Sequence, residues 1–138
     1  MIIFADNGDV WTFNEVNRMS NRVAHFLLSL GYKKGDVMAV FMENHPKYMV
    51  VLLGLAKIGV TAALINNNLS DESLSYSINI AKCRGCIYQH SLEAVLASVA
   101  SNCIAPSHQS PFQFFCLENG FRLPNRIGGV IDLEGAIR

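Results

Sequence analysis

Residues 35–65 read GDVMAVFMENHPKYMVVLLGLAKIGVTAALI, and the order of their parts sets the architecture. Val37-Met38-Ala39-Val40-Phe41-Met42 is apolar without alternation, as a strand covered on both faces must be. Proline is tolerated in a first helical turn, where its missing N–H would have no partner, so the spacing predicts a helix from Pro46 to Ile58 closed by Gly59. Val60 to Ile65 then reads as a second buried strand. The apolar run from Met49 to Ile65 holds Lys57 near its middle and falls short of the about twenty residues that span a bilayer.

Working toward the N-terminus, Ile2-Ile3-Phe4-Ala5 and Val10-Trp11-Thr12-Phe13 flank the turn residues Asp6-Asn7-Gly8-Asp9, which predicts a β-hairpin. Thr12-Phe13-Asn14-Glu15 fits a capping box, in which hydroxyl and carboxylate satisfy the first free backbone N–H groups of a helix. That helix carries Val16, Met19, Val23, Phe26, Leu27 and Leu30 on one side and ends at Gly31. Toward the C-terminus, Ser70 is placed to cap a third helix, with Asp71 and Glu72 suiting its positive end. Cys86 to Gln89 reads as a short strand and Ser91 opens a fourth helix reaching about Ser101. Strand, helix, strand, helix, strand predicts an α/β fold: a parallel sheet with flanking helices and right-handed crossovers, preceded by the hairpin. From Ala105 the proline, serine and glycine content rises and no period lasts, so residues 1–104 are expected to form one domain and 105–138 a divergent, loop-rich tail. Phe112 to Leu117 is the one strand candidate in that tail.

The chain has 138 residues, room for a single core; it is 51% hydrophobic and 16% charged, with a formal net charge of zero. An average soluble domain is roughly 45–50% apolar and about 25% charged, so a strongly buried sheet is expected. Zero charge and no basic stripe leave no electrostatic footprint for nucleic acid. Cys83-Arg84-Gly85-Cys86 has the spacing of a zinc pair, but Cys103 and Cys116 do not complete it, and buried free thiols are expected. The opening residues do not read as a secretory signal, which favours reduced cysteines on the cytosolic side.

The histidines His25, His45, His90 and His108 stand alone in sequence. Gly31 and Gly59 end helices rather than open them, so neither builds a phosphate loop. No Gly-x-Ser-x-Gly, His-Glu-x-x-His or Gly-x-Gly-x-x-Gly pattern occurs. Glu43-Asn44-His45 follows the carboxyl end of a predicted parallel strand, where open α/β sheets bind ligands; a helix-capping loop is the alternative reading.

Trp11-Thr12-Phe13-Asn14-Glu15-Val16-Asn17 running into Ser20-Asn21-Arg22-Val23-Ala24 resembles an early core motif of the adenylate-forming (AMP-binding) enzymes. Gly54-Leu55-Ala56-Lys57-Ile58-Gly59-Val60-Thr61-Ala62-Ala63-Leu64-Ile65-Asn66 resembles a second. Phe41-Met42-Glu43-Asn44 and Asn66-Asn67-Asn68-Leu69 are similar to the fatty-acid transport protein and very-long-chain acyl-CoA synthetase branch. The resemblance runs from about residue 4 to residue 100 and implies part of that family's N-terminal subdomain.

It implies that intact relatives activate a long-chain fatty acid with ATP and Mg²⁺, then transfer the acyl group to coenzyme A. It also implies membrane association on the cytosolic side, at the endoplasmic reticulum or plasma membrane. The family's phosphate loop ending in Gly-x-Pro-Lys, its Thr-Glu motif, its ribose-gripping Asp and its C-terminal Lys are absent from this sequence. No catalytic, cofactor-binding or metal residue is therefore assigned. The expectation is a fragment of a ligase, inactive alone, with a non-catalytic isoform that binds fatty acid or a full-length relative as the alternative.

Overall fold

A computed structural model of the chain describes residues 2–3, 10–43, 46–106, 111–117 and 127–137. β1 (Ile2–Ile3) pairs antiparallel with β2 (Val10–Trp11), with Ile2 opposite Trp11 and Ile3 opposite Val10. The second strand is shorter than expected because Thr12 and Phe13 are claimed by the helix; residues 4–9 lie outside the described residues. The capping box forms: the Glu15 N–H donates to Thr12 Oγ1 at 3.2 Å, and the Thr12 N–H donates to Glu15 Oε2 at 2.7 Å.

α1 (Phe13–Ser29) buries Val16, Ser20, Val23, Ala24 and Leu27. It stops where Gly31 takes a φ of +89°, a left-handed conformation that costs glycine little. α2 (Lys47–Lys57) packs along it, with Gly54 set closely against Val23 and Ser20. A Cβ at Gly54 would stand 2.7 Å from Val23 Cγ1 and 3.0 Å from the Ser20 carbonyl oxygen. At the end of α2 the Lys57 ammonium donates to Asn17 Oδ1 (2.6 Å), Asn21 Oδ1 (2.6 Å) and Ser20 Oγ (2.8 Å), which fastens the two helices together.

The main sheet has the order β4-β3-β5-β6-β7 and every pair in it is parallel. Its strands are β3 (Val37–Phe41), β4 (Thr61–Leu64), β5 (Gly85–Gln89), β6 (Gln113–Leu117) and β7 (Ile131–Asp132). Met38, Val40, Ile87, Phe115 and Leu117 face α1, α2 and α5 (Leu133–Ile137). Ala39, Phe41, Cys86, Tyr88, Phe114 and Cys116 face the layer of α3 (Asp71–Ile80) and α4 (Glu93–Ala97). Two covered faces explain why Val37 to Met42 shows no polar alternation.

Several expectations are corrected. β4 is an edge strand rather than a buried one: Thr61 and Leu64 are exposed, because only β3 flanks it. Ser70 stands at the N-cap of α3 in extended conformation, but its hydroxyl makes no capping bond. Asp71, at φ +51°, turns the chain out of the geometry such a bond needs. The fourth helix is broken into a 3₁₀ turn (His90–Leu92), α4 and a second 3₁₀ turn (Ala100–Asn102). Leu92, Leu96, Val99 and Cys103 nevertheless remain buried at helical spacing. Within the stretch expected to be loop-rich, the strand candidate at Phe112 to Leu117 forms as β6, buried between β5 and β7, and α5 follows; residues 118–126 lie outside the described residues.

At the amino end of the sheet Arg84 ties four elements together. Its Nη1 donates to Asp36 Oδ2 and to the Gly31 carbonyl oxygen, each at 2.8 Å, and its guanidinium lies 4.2 Å from the Tyr32 ring centre. The Tyr32 hydroxyl donates to Gln113 Oε1 at 2.8 Å. This positive group meets the carbonyl end of α1, where a cation is favourable.

Gly54→Ala is expected to lose about 1–3 kcal/mol through overpacking against Val23. Alanine's intrinsic helical advantage of about 1 kcal/mol acts in the opposite sense. Urea unfolding measures the balance, and a stabilised variant would contradict the close helix contact.

Candidate functional site at the carboxyl edge of the sheet

The chain lays down β3 first, then β4 on one side of it and β5 on the other. The connections therefore diverge at the β3/β5 boundary, the position where open α/β sheets form a crevice at their strand ends. Glu43 and Gln89 meet there: the Glu43 N–H donates to Gln89 Oε1 at 3.1 Å, and the Gln89 side chain is buried. Glu43 itself is exposed. Asn44 and His45, the other members of the expected site, lie outside the described residues.

The same edge gathers charge that sequence reading passed over. Lys47, the first residue of α2, forms an ion pair with Glu134 in α5. Beside Gln89, the Tyr88 hydroxyl donates to Glu93 Oε1, and His90 Nε2 stands 3.6 Å from Glu93 Oε2. Glu93 is only 3% exposed. The sequence signal for this cluster is weak: Tyr88, His90 and Glu93 resemble an ordinary polar segment until the chain doubles back after β5.

The four cysteines are free and buried. Burial pushes the Cys83, Cys103 and Cys116 thiols from 9.0 up to about 11, and Cys86 well above 9.0, so all stay protonated and weakly nucleophilic at neutral pH. Burial and, next, the bond to Glu93 hold the Tyr88 phenol protonated as well. Among the described residues no group of three or more His, Cys, Asp or Glu side chains is arranged to hold a metal ion. The glycine N–H groups that could face a phosphate are engaged: Gly31 donates to the Leu28 carbonyl, Gly35 to Gly59 and Gly59 to Ala56. On the outer side of α1, Trp11, Glu15, Arg18, Met19 and Arg22 line an open cleft of about 230 Å³. Glu15 is occupied by the helix cap, and Arg22 Nη1 donates to the Ile137 carbonyl oxygen at 2.8 Å. The arrangement can order the loop after β3 and present backbone groups at the strand ends; it pairs no nucleophile with a base.

Gln89→Ala is expected to speed hydrogen exchange at the Glu43 amide about fivefold, the loss of one net hydrogen bond of about 1 kcal/mol. An unchanged Glu43 amide would show that Gln89 does not hold this loop. Stability is expected to fall as pH rises from 9 to 11, because the unfolded thiols release protons near 9.0 and the folded ones near 11. The unfolded state then binds fewer protons, and the buried tyrosines act in the same sense. A flat denaturation midpoint across that window would contradict the burial of these groups.

Residues 1–117 match the family model described as "AMP-binding enzyme". The long-chain fatty acid transport protein 1 of Rattus norvegicus is 40% identical over 99 residues, which is 72% of this chain and 15% of that protein. The long-chain fatty acid transport protein 6 of Mus musculus is 47% identical over 73 residues, 52% of this chain and 12% of that protein. The chain thus spans about 15% of the length of the curated relatives it matches. A putative long-chain-fatty-acid CoA ligase from Rhodopseudomonas palustris superposes with a TM-score of 0.77 at 15% identity, over 94% of this chain and 30% of that one. The anthranilate CoA ligase AuaEII, in complex with anthranoyl-AMP, gives a TM-score of 0.74 at 21% identity, over 92% and 22%. Those solved structures share the fold: a parallel sheet layered between helices. With the family model covering most of its length and its early motifs in place, the chain belongs to the AMP-binding enzymes.

Proposed function

We propose that this chain forms the opening α/β unit of a long-chain fatty acid–CoA ligase of the fatty-acid transport kind, and that it is inactive alone. The observation that carries the reading is the 40% identity to a long-chain fatty acid transport protein over 99 residues, 72% of this chain. The described residues do not fit ATP or Mg²⁺. The candidate glycine amides are bonded to backbone carbonyls, and no three acidic, histidine or cysteine side chains converge. In the proposed assembly, ATP, Mg²⁺ and coenzyme A are handled by the family's later motifs, which this sequence lacks. The unit itself supplies a rigid sheet edge. The proposed setting is the cytosolic face of a membrane; none of the described helices is long and apolar enough to cross one.

A second reading has an observation of its own. Met49 and Leu53, one helical turn apart on α2, and Leu64 at the end of β4 are 48%, 38% and 58% exposed. Exposed apolar groups of this size favour binding of a fatty acid or of a full-length relative.

Residues 10–104, exchanged for the matching segment of a long-chain fatty acid transport protein, are expected to retain acyl-CoA formation within about tenfold, a loss of about 1.4 kcal/mol. The 138-residue chain alone is expected to form no acyl-CoA from oleate, ATP and coenzyme A. A folded but inactive chimera would contradict the proposal, and saturable oleate binding by the chain alone would favour the second reading.

A further inference from the structure

In this parallel sheet α1, α2 and α3 end at the amino edge, where β3, β4 and β5 begin. That placement separates the charges of a chain whose formal net charge is zero. Among the described residues, the segments entering the strands carry Lys33, Lys34, Lys82 and Arg84 against Asp36. The strand exits and the helix starts after them carry Glu43, Asp71, Glu72, Glu93, Asp132 and Glu134 against Lys47. Arg84 is engaged by Asp36 and the Gly31 carbonyl, whereas Lys33, Lys34 and Lys82 are exposed and form no ion pair with any described residue. Lys34 lays its stem against Gly59, with Cγ 2.9 Å from where a Cβ would stand. Lys82 takes a left-handed φ of +56° after α3, a conformation that α1 and α2 give to Gly31 and Gly59.

Exposed aliphatic side chains occur at the same end. Leu28 in the last turn of α1, Ile80 at the end of α3 and Ile104 are 48%, 62% and 64% exposed. Ile104 is fixed beside α3: its N–H donates to Asn79 Oδ1 at 3.0 Å, and Asn79 Nδ2 donates to the Asn102 carbonyl oxygen at 2.8 Å. Helix dipoles, about half a charge each, account for cations at helix ends but not for the aliphatic groups among them. A lipid surface takes both, receiving aliphatic groups at its acyl boundary and lysines at its anionic headgroups. Nucleic acid would gain only from the lysines.

We propose that the amino end of the sheet docks on an anionic lipid surface, with the acidic carboxyl edge, Glu43 and Gln89 included, turned toward solution. Repulsion of the carboxylates by the same headgroups sets that orientation. This names the face by which the proposed membrane setting is reached, and it rests on that setting rather than on ligase chemistry.

Co-sedimentation of the whole 138-residue chain with vesicles tests it, using phosphatidylcholine alone against phosphatidylcholine and phosphatidylserine in equal parts. Binding is expected on the anionic vesicles only, and added salt should weaken it. Lys33→Gln, Lys34→Gln and Lys82→Gln should each lower the partition about fivefold, and about a hundredfold together. Leu28→Ser with Ile80→Ser should also lower it, because binding scales with the apolar area inserted. Arg18→Gln removes the same charge from the outer side of α1 and should leave the partition level. Since the four native thiols are buried, an environment-sensitive dye can be placed on Ile104→Cys or on Glu72→Cys; only the first should shift to the blue. Equal partition onto both vesicles, no partition onto either, or binding that survives loss of the three lysines would overturn the docking face. Should a variant fail to fold, the unmodified chain's choice between the two vesicles still decides. Acyl-CoA formation by the chimera is read separately, so the ligase reading can stand or fall without this one.

Discussion

Burial of β3, β5 and β6 on both faces is the constraint from which the rest of this structure follows. All five residues of β5 are buried, with Cys86 and Tyr88 directed to one helical layer and Ile87 to the other. Such strands have no side on which polar side chains can meet water, so the polar chemistry is driven to the two ends of the sheet. At the amino end Arg84, Asp36, Tyr32 and Gln113 close a network over the strand starts. At the carboxyl end Gln89, Glu43, Tyr88 and Glu93 do the same for the strand exits. Gly85 shows how tight the first of these is: a Cβ there would lie 2.7 Å from the Tyr32 hydroxyl and 2.8 Å from the Gln113 carbonyl oxygen.

Most of the fold is legible because its signals are local. The Thr12–Glu15 box, the unbroken apolar run of β3 and the glycines closing α1 and α2 each act over a few residues, and each appears where it was expected. The failures arise where the deciding partner is distant. Nothing within Thr61–Leu64 tells an edge strand from a central one; only the placement of β5 beyond β3 does. The breaks in the fourth helix carry no local mark within Ser91 to Ser101, whereas the strand expected at Phe112 to Leu117 does form and pairs with β5.

The candidate site was legible in position and illegible in content. A strand end followed by Glu43 puts that residue at the carboxyl edge of the sheet, and it is found there beside Gln89, at the end where open parallel sheets concentrate ligand sites. The residues that shape this edge, Lys47, Gln89 with Glu93, and Glu134, come from three separate stretches of the sequence and carry no shared motif. Membership of the AMP-binding enzymes gives the edge a context, and the local hydrogen bonds give it stiffness. The chemistry proposed for intact relatives needs groups that the described residues do not bring together.

The central claim is that one parallel sheet runs from the first βαβ unit into the C-terminal stretch, with Tyr88 opposite Cys116 and Val40 opposite Ile87. Backbone proton–proton contacts across these pairs, measured by NMR on isotope-labelled protein, test it most directly. The account predicts cross-strand contacts at both pairs together with slow exchange of the β6 amides. Contacts confined to Val40 and Ile87, with residues 113–117 exchanging at unstructured rates, would contradict it.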